Sequence, residues 1–253
     1  MPKFFVTTNQ IEKSKIKIKD EDVKHIRNVL RAKIEDYINI CDYQTSKNYK
    51  CQIEEINEQY IICNILEENE SEVEPEIKVT ILQGLPKSDK MELVIQKAIE
   101  LGAFSIIPLE MKRCVVKLKE KDRIKKIQRW QKIAEGAAKQ SGRDIIPEIK
   151  DVINVEQAVK EFNKYDIILV AYENEKENML KNELKKILNS NRMLNIAIII
   201  GPEGGIEEEE IEKFKQNGAK IISLGKRILR TETVALNILS IIMYELEDGR
   251  IDN

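Results

Sequence analysis

Residues 194–210 have the sequence LNIAIIIGPEGGIEEEE and decide the fold class of this 253-residue chain. The apolar run at 194–200 predicts a strand that is buried on both faces, as in a parallel sheet. It is followed by Gly201, Gly204 and Gly205, and then by an acidic segment that predicts the start of a helix. This order of strand, glycine turn and helix is typical of α/β proteins, which bind ligands beyond the carboxyl ends of their strands.

The glycine turn at 201–205 also restricts the ligand. It lacks the G-x-G-x-x-G spacing of dinucleotide-binding turns, and Gly225-Lys226 is followed by arginine, so no P-loop is present either. Four consecutive glutamates at 207–210 make a poor phosphate cradle. A neutral or cationic ligand therefore fits better than a nucleotide phosphate. An ordinary strand–helix turn is the less favoured interpretation, because three of the ten glycines in the chain cluster here.

A second turn lies in residues 223–236, which have the sequence SLGKRILRTETVAL. Arg230 and Glu232 stand here between two apolar elements. They are candidates for a buried ion pair that holds the turn, and equally for groups that act on a ligand. If the strands before the two turns are parallel neighbours, both turns lie at one edge of the sheet and form a single ligand crevice.

Strands and helices alternate around these turns, which predicts a parallel sheet covered on both faces. The predicted strands cover 78–85, 104–110, 165–173, the strand and turn at 194–205, and 220–225. The predicted helices cover 89–103, 120–141, a segment ending near Leu188, 206–219 and 231–247. The last helix is apolar on more than one face, which indicates burial within the chain or between subunits.

Short β-type runs before this region predict a separate small domain of about 70 residues. They lie at 4–6, 16–19, 37–42, 49–56 and 60–66. Residues 20–31 predict a helix. Its apolar positions, expected on one side, are Val23, Ile26, Val29 and Leu30. The acidic stretch 67–76 is the candidate linker, so the predicted domains are 1–72 and 73–253.

The net charge of −2 hides an uneven distribution of charge. Residues 1–50 carry net +4 and residues 78–150 net +8, whereas residues 51–77 carry net −9. Salt screens charges beyond roughly 8–10 Å, so a polyanion responds to the local potential. The two basic zones therefore favour an RNA or DNA partner. Within the second zone, the alternating charges of residues 117–132 are more typical of a solvated helix face.

The composition excludes several other classes. Hydrophobic residues make up 42% of the chain and charged residues 34%, as expected of a globular protein. Four cysteines and the single histidine, His25, lack the spacing of a zinc site and are too few for a disulfide scaffold. There is no 18-residue apolar run and no signal-peptide pattern at the N-terminus. We therefore expect a cytoplasmic protein with reduced thiols, no membrane partner and no metal.

Together, the two turns closely resemble the C-terminal signature of the ribosomal RNA small subunit methyltransferase E family, which belongs to the SPOUT methyltransferases. The resemblance extends over essentially the whole chain. Further similar stretches are HIRNVLR at 25–31, GLPKSDKMELVIQKAIELG at 84–102 and RWQKIAEGAAKQSGR at 129–143. Departures from the family pattern are Lys3 as the N-terminal basic residue, Glu35-Asp36 in place of Gly-Asp, and Val234 in place of alanine.

This resemblance implies an N-terminal PUA-like β-barrel followed by a SPOUT-type α/β domain with a parallel sheet and a C-terminal trefoil knot. It also implies a homodimer formed through the knot domain. The implied reaction transfers a methyl group from S-adenosylmethionine to uridine N3 in the decoding region of 16S rRNA, either as rRNA or within the assembled small subunit. The cofactor is cationic at its sulfonium, which agrees with the acidic turn. The resemblance places it against Ala171, Tyr172, Glu173, Gly201, Pro202, Glu203, Gly204, Gly205, Leu224, Gly225, Ile228, Leu229, Arg230 and Thr231.

Uridine N3 must lose a proton before it can attack, so catalysis requires a base and a group that stabilises the anion. Arg230 is the candidate for anion stabilisation, Glu232 for the base or for orienting Arg230, and Glu203 is a third contender. Arg27 and Arg31, spaced i, i+4 on the first helix, are expected to contact RNA phosphates. The further candidates for phosphate contacts, from the second basic zone, are Lys87, Lys90, Arg113 and Arg143.

Three other functions compete with this reading. A related SPOUT methyltransferase would act on a different RNA nucleotide. A non-catalytic RNA-binding protein would keep the basic zones but would need no glycine crevice and would not bind S-adenosylmethionine. A nucleotide-dependent α/β enzyme is disfavoured because the phosphate-binding motifs are missing.

Overall fold

The computed structural model describes residues 3–71, 73–188 and 194–246. The chain divides into two compact units. The first unit comprises Met1–Glu74 and Ala138–Ile146, and the second comprises Pro75–Ala137 and Pro147–Asn253. The predicted end of the last helix, Glu247, lies outside the described residues.

The first unit contains a six-stranded sheet with the order β1-β4-β5-β6-β3-β2. Its strands are β1 (Lys3–Val6), β2 (Ile11–Glu12), β3 (Lys15–Lys19), β4 (Tyr37–Asp42), β5 (Lys47–Ile56) and β6 (Tyr60–Asn69). Strand β1 runs parallel to β4, and the other pairs are antiparallel. Alternation in β3 buries Ile16 and Ile18 while its lysines are exposed, so one face of the sheet covers a core that includes Phe4 and Ile40. The five predicted strands of this region are confirmed.

Strand β6 is longer than the sequence pattern predicts, because it continues into the acidic stretch as far as Asn69. Glu67 forms an ion pair with Lys50, and Glu68 forms one with Lys47 on the neighbouring strand β5. Opposite charges facing each other across two strands stabilise the pairing. The acidic stretch is therefore partly strand, and the candidate linker is shorter than expected.

The helix predicted over residues 20–31 is mostly replaced by other structure. A short helix α1 (Glu21–Lys24) is followed by a π-helical turn at His25–Val29. Val23 and Ile26 are buried, whereas Val29 is 69% and Leu30 38% exposed. A π turn holds more residues than an α turn, so the α-helical spacing that predicted four apolar residues on one side fails after Ile26.

The second unit contains a parallel sheet with the order β10-β8-β7-β12-β11-β13, and β9 pairs with β8. Its strands are β7 (Lys78–Gly84), β8 (Ser105–Glu110), β9 (Glu148–Ile149), β10 (Ile153–Asn154), β11 (Ile167–Ala171), β12 (Asn195–Ile200) and β13 (Lys220–Ile222). Its helices are α2 (Lys90–Glu100), α3 (Glu120–Ser141), α4 (Val155–Lys160), α5 (Leu180–Leu188), α6 (Glu208–Gln216) and α7 (Thr231–Leu246). The predicted parallel α/β arrangement is confirmed.

Burial explains which elements the sequence revealed. Strand β12 lies between β7 and β11, and its residues from Ile196 to Ile200 are at most 1% exposed, so it appears in the sequence as a continuous apolar run. Strands β9 and β10 were not predicted, because two residues are too few to show a period. No helix in the described part of the chain is long and apolar enough to cross a membrane.

Helix α7 has one buried face and one open face. Its buried residues include Ala235, Ile238, Leu239 and Ile242, and it packs against α2. Tyr244, on the other side, is 70% exposed. Intrachain packing therefore accounts for only part of the apolar surface of this helix.

Gly136 provides a test of the description of α3. It lies inside the helix, and no atom is within 4 Å of the position that a Cβ would take. We expect Gly136→Ala to raise the free energy of unfolding by about 0.5–1 kcal/mol, because glycine within a helix is less favourable than alanine by that amount. Denaturant unfolding measures the change.

Gly102→Ala is the matched control. Gly102 has φ +93°, and an added Cβ would lie 3.1 Å from the Met243 side chain, so this variant should be less stable than the wild type. Equal effects of the two substitutions would contradict the account.

Candidate active site

Four parallel strands end level with one another and bring their following loops together. Ala171 at the end of β11 stands opposite Ile200 of β12 on one side and Ile222 of β13 on the other. Ile200 in turn stands opposite Gln83 of β7. The sequence analysis made a single crevice conditional on the strands before the two turns being neighbours. Those strands, β12 and β13, are not neighbours, because β11 lies between them. The two glycine turns nevertheless meet at one edge, because the loop after β11 closes the gap between them.

These loops surround a cavity of about 440 Å³. Every residue expected to line the cofactor site lines this cavity except Gly204, which packs against Arg113. The lining residues that the sequence analysis did not assign to the cofactor are Lys90, Ile200, Ser223, Lys226, Arg227 and Val234. The volume is within the range of sites for small molecules and cofactors.

The glycine turn can take its shape only because of its glycines. Gly205 has φ +73°, and a Cβ built on it would lie 2.3 Å from Oε1 of Glu173. A Cβ on Gly201 would lie 2.7 Å from the side chain of Ile206. The positive φ at Gly205 and the space that Ile206 takes at Gly201 are what require glycine here, whereas the Glu173 carboxylate ends a flexible side chain.

A chain of buried hydrogen bonds joins the strand ends beneath the cavity. Gln83 Nε2 donates to Thr231 Oγ1 at 2.8 Å, and Thr231 Oγ1 donates to the Gly201 carbonyl at 2.7 Å. Gln83 is fully buried and Thr231 is 5% exposed. The first residue of α7 is therefore held against the ends of both β7 and β12. Gln83 was not predicted as a site residue, although a polar residue inside the apolar run KVTILQGL was a visible signal.

Lys90 links two of the candidate catalytic carboxylates. Its Nζ lies 3.1 Å from Glu203 Oε1 and 3.3 Å from Glu232 Oε2. Glu203 also accepts a hydrogen bond of 3.1 Å from the backbone N–H of Lys87. Within the described residues, Glu232 Oε2 is buried and accepts no hydrogen bond besides its ion-pair contact with Lys90. One ammonium group thus holds two carboxylates, of which Glu203 lines the cavity.

This cluster keeps Glu203 ionised. Burial tends to raise the pKa of Glu203, but hydrogen bonds from its own backbone N–H, from Lys90 and from the Lys87 backbone lower it below the ordinary value of 4.5. Hydrogen bonds to Glu203 and then to Glu232 raise the pKa of Lys90, against the effect of its desolvation. A carboxylate with a lowered pKa contributes its stabilisation above the ordinary value and loses it as the pH falls through the lowered one. Glu203 and Lys90 are therefore both charged at neutral pH.

The structure corrects the expected partnership of Arg230 and Glu232. The carboxylate of Glu232 contacts Lys90, and the side chain of Arg230 forms no ion pair or hydrogen bond within the described residues. The interpretation of a buried Arg230–Glu232 pair, and with it the idea that Glu232 orients Arg230, is wrong. Arg230 is exposed and lines the cavity, so its charge is available to a ligand.

Several of the residues expected to contact phosphates are engaged within the protein. Arg113 donates from Nε to Glu207 at 2.8 Å and from Nη1 to the Gly204 carbonyl at 3.0 Å. It thereby lowers the pKa of Glu207 and fastens the glycine turn. Lys87 is exposed, whereas Lys90 is held by the two carboxylates described above.

The two arginines of the N-terminal segment and Arg143 also differ from expectation. Arg27 lies in the π-helical turn, and Arg31 lies beyond it with φ +54°, so the two are not one turn apart on a single helix. Arg143 is only 6% exposed and forms an ion pair with Glu74 inside the first unit. Its expected role as a phosphate contact is corrected, because the guanidinium is buried and neutralised.

No group of three or more histidine, cysteine, aspartate or glutamate side chains able to hold a metal ion occurs among the described residues. The four cysteines are buried and unpaired. Burial raises the pKa of Cys51 and Cys63 to about 12. These thiols are therefore not nucleophiles at neutral pH.

Comparison with known proteins agrees with this architecture. Residues 73–243 match the model of an RNA methyltransferase domain, and residues 18–66 match that of an RNA methyltransferase PUA domain. The chain is 39% identical over 251 residues to ribosomal RNA small subunit methyltransferase E of Bacillus subtilis, covering 98% of both chains. It is 33% identical over 248 residues to the protein of that name from Mesomycoplasma hyopneumoniae, covering 95% of this chain and 98% of the relative.

A solved structure shares the fold over nearly its whole length. The enzyme of the same name from Neisseria gonorrhoeae, bound to S-adenosyl methionine, superposes with a TM-score of 0.83 at 28% identity, covering 96% of this chain and 97% of that one. A PUA domain followed by an α/β unit with a glycine-lined crevice defines an RNA methyltransferase. Within that class, the chain belongs to the ribosomal RNA small subunit methyltransferase E family.

The hydrogen-bond chain under the cavity predicts a measurable coupling. We expect Thr231→Val to lower the free energy of unfolding by about 1–3 kcal/mol, because the buried Gln83 amide loses this acceptor and the half-buried Gly201 carbonyl loses its donor. Combining it with Gln83→Leu in a double-mutant cycle should give a coupling above about 0.5 kcal/mol. Denaturant unfolding measures all four proteins.

Thr233→Val is the control for this cycle, because Thr233 is exposed in the same turn of α7. It should change stability by less than about 0.5 kcal/mol. Strict additivity of the Gln83 and Thr231 substitutions would show that the two side chains do not cooperate.

Proposed function

We propose that this protein transfers a methyl group from S-adenosylmethionine to N3 of a uridine in the decoding region of 16S rRNA. The observation that carries the proposal is the crevice at the carboxyl edge of the sheet. It is closed by two glycine turns and flanked by the carboxylates of Glu173 and Glu203. Family membership supports methylation of small-subunit rRNA, and the chemistry of the crevice supports a cationic cofactor.

The lining residues fit S-adenosylmethionine. Apolar side chains, including Ile200, Leu224 and Val234, suit an adenine ring, and the exposed peptide groups of the turns suit its polar edges. Carboxylates near the crevice attract a sulfonium and an ammonium group. When bound, the cofactor supplies an electrophilic methyl group. The protein contributes positioning and the exclusion of water.

The other steps of the reaction, which are stabilisation of the anion, removal of the proton and positioning, are assigned to residues of this chain. N3 lies on the pairing edge of uracil, so the nucleotide must be unpaired and turned out to reach the crevice. We assign the stabilisation of the developing N3 anion to Arg230, whose guanidinium has no carboxylate partner in the described structure. We assign proton acceptance to Glu232, whose carboxylate shares the Lys90 ammonium group with Glu203. Lys90 acts as a positioning residue that holds both carboxylates.

The path of the chain around the crevice supports a trefoil knot as part of this proposal. Asn178 Nδ2 donates to the Ile221 carbonyl, and the Ser223 N–H donates to the Asn178 carbonyl. The segment after β11 thus crosses the end of β13. We propose domains at 1–72 and 73–253, with the first folded as a PUA-like barrel that contacts RNA through Arg27 and Arg31, and with Lys87 as a further RNA contact.

A homodimer through the knot domain completes the proposal. The open face of α7 forms a shallow groove that contains half-buried and exposed apolar side chains. It is lined by Thr233, Leu236, Asn237, Ser240, Ile241, Tyr244 and Glu245. A second copy of this face would cover Tyr244, which is otherwise an exposed aromatic residue. We place the reaction in the cytoplasm, where ribosomal subunits are assembled.

One set of experiments tests the proposed function. Calorimetric titration with S-adenosylmethionine, with the molar mass measured by light scattering on the same sample, should show binding by a dimer. Incubation with cofactor and either 16S rRNA or assembled small subunits should then block reverse transcription at a single uridine, because a methyl group on N3 prevents base pairing.

The alternative outcomes are distinct. Binding of the cofactor with methylation at another base or atom would identify a SPOUT methyltransferase of different specificity. No binding by the folded protein, even with 16S rRNA present, would indicate a non-catalytic RNA-binding protein.

The role assigned to Arg230 gives a second prediction. We expect Arg230→Ala to lower the rate of methyl transfer by at least about 10²-fold, because a group that stabilises developing charge typically contributes that much. Calorimetry should show nearly unchanged affinity for S-adenosylmethionine. Lys220→Ala, an equal charge change at an exposed residue of the same unit that does not line the cavity, is the control and should keep most of the rate at saturating RNA. Wild-type turnover by Arg230→Ala would reject the assignment.

A further inference from the structure

We propose that the exposed face of α3 binds the phosphate backbone of the RNA substrate, an inference that rests on the proposed function. This surface, the α3 basic face, consists of Lys121, Lys125 and Lys132. Lys117 and Lys119 extend it into the loop before the helix. The sequence alone favoured a solvated helix face for these residues, and the pattern of ion pairs in the structure reverses that preference.

The spacing of the three lysines places them on one side of the helix. Positions 121, 125 and 132 are separated by four and seven residues, which brings their side chains onto a single face. All three are exposed, and Gln128 continues the same stripe between them. Trp130 and Ala134 point to the opposite side and are buried. Core packing therefore fixes which face of α3 is presented to solvent.

The charge of this face is not neutralised by the protein. Among the described residues, the ammonium groups of Lys117, Lys119, Lys121, Lys125 and Lys132 form no ion pair or hydrogen bond. The two arginines of the helix differ, since Arg123 pairs with Glu110 and Arg129 with Glu92. Residues 117–132 contain eight basic and two acidic residues. An uncompensated row of lysines is the feature that a polyanion recognises.

The start of this face lies at the edge of the sheet where the crevice opens. Arg123 Nη2 donates to Glu110, the last residue of β8, at 2.9 Å, and Arg123 Nε donates to the Leu118 carbonyl at 3.1 Å. The loop between β8 and α3 also carries Arg113, which fastens the glycine turn. From Lys121 to Lys132 the helix extends over about 16 Å. A strand whose target nucleotide enters the crevice can thus continue along several lysines.

The residue types define what the face recognises. Lysine ammonium groups act as point charges toward phosphate, and the stripe contains no aromatic side chain on which a base could stack. The face therefore positions the RNA without reading its sequence, while the crevice selects the base. The α3 basic face takes the role of phosphate contact that the sequence suggested for Lys90, Arg113 and Arg143. The charges of those three residues are held by carboxylates.

The test compares two triple variants of the full chain. Lys121→Gln with Lys125→Gln and Lys132→Gln removes the α3 basic face, and glutamine retains a good helix propensity. Lys160→Gln with Lys181→Gln and Lys215→Gln is the matched control, because these lysines are also exposed on helices of the second unit. Each variant removes three positive charges. Circular dichroism and thermal unfolding check that both fold.

Binding of a 16S rRNA fragment is measured as a function of salt, together with affinity for S-adenosylmethionine and the kinetics of methyl transfer. We expect the α3 variant to reduce the slope of log K against log salt by about 2–3, since each phosphate contact contributes about 0.7–0.9. Its KM for RNA should rise at least about tenfold, with unchanged cofactor affinity and nearly unchanged kcat. The control should keep the wild-type slope.

The results separate this inference from the proposed function. If the wild type binds cofactor and RNA but both triple variants keep its slope, or lose it equally, α3 presents only a solvated face and the inference is overturned. If the wild type binds neither, the proposed function itself fails and the inference fails with it.

Discussion

The hydroxyl of Thr231 makes the contact on which the crevice depends. It accepts a hydrogen bond from Gln83 at the end of β7 and donates one to the Gly201 carbonyl after β12. Because Thr231 also begins α7, the preceding loop is closed over the strand ends. The bond from Gln83 is buried and the bond to Gly201 is partly buried. A buried polar group without its partner costs about 1–3 kcal/mol. The two glycine turns are thereby held in one arrangement, and the cavity exists before a ligand arrives.

In the second unit, some cations near the crevice are ion-paired, whereas those of the α3 basic face have no such partner among the described residues. Around the crevice, Lys90 and Arg113 are each matched by carboxylates, which fasten the turns and leave acidic groups facing the cavity. Arg230, which lines the cavity and has a proposed catalytic role, has no carboxylate partner among the described residues. The three lysines of the α3 basic face form no ion pair in the described part of the chain, whereas Lys139 near the end of the helix pairs with Asp22. The ion-paired side chains thus hold the turns of the site in place, and the side chains without a partner are available to bind ligands.

The glycines of the turn after β12 shape the crevice through their backbone conformation. At Gly205 the backbone takes a positive φ, which favours glycine, and an added Cβ would displace the Glu173 carboxylate. The carboxylate that follows β11 thus lies against the turn that follows β12, although 32 positions separate the two residues in the sequence. The acidic and glycine-rich elements form one crevice because β11 and β12 end level with each other.

Local sequence determined the elements of this protein and the residues around its crevice. Apolar runs such as 194–200 mark buried parallel strands, and glycine turns after them mark the ligand edge, because both signals depend on neighbours a few positions away. The fourteen expected cofactor residues came from the family resemblance, and thirteen of them line the cavity, the exception being Gly204.

Only the tertiary structure decided which charges meet. Lys90 pairs with Glu232, Arg143 is buried against Glu74, and Arg230 has no ion-pair partner in the described part of the chain. The π-helical turn after α1 likewise moved Val29 and Leu30 to the surface. The partners of Lys90 and Arg143 lie far away in the chain, and a charge carries no period that reveals its partner. Their pairing is set by the packing of strands and loops, which becomes known only once the chain has folded.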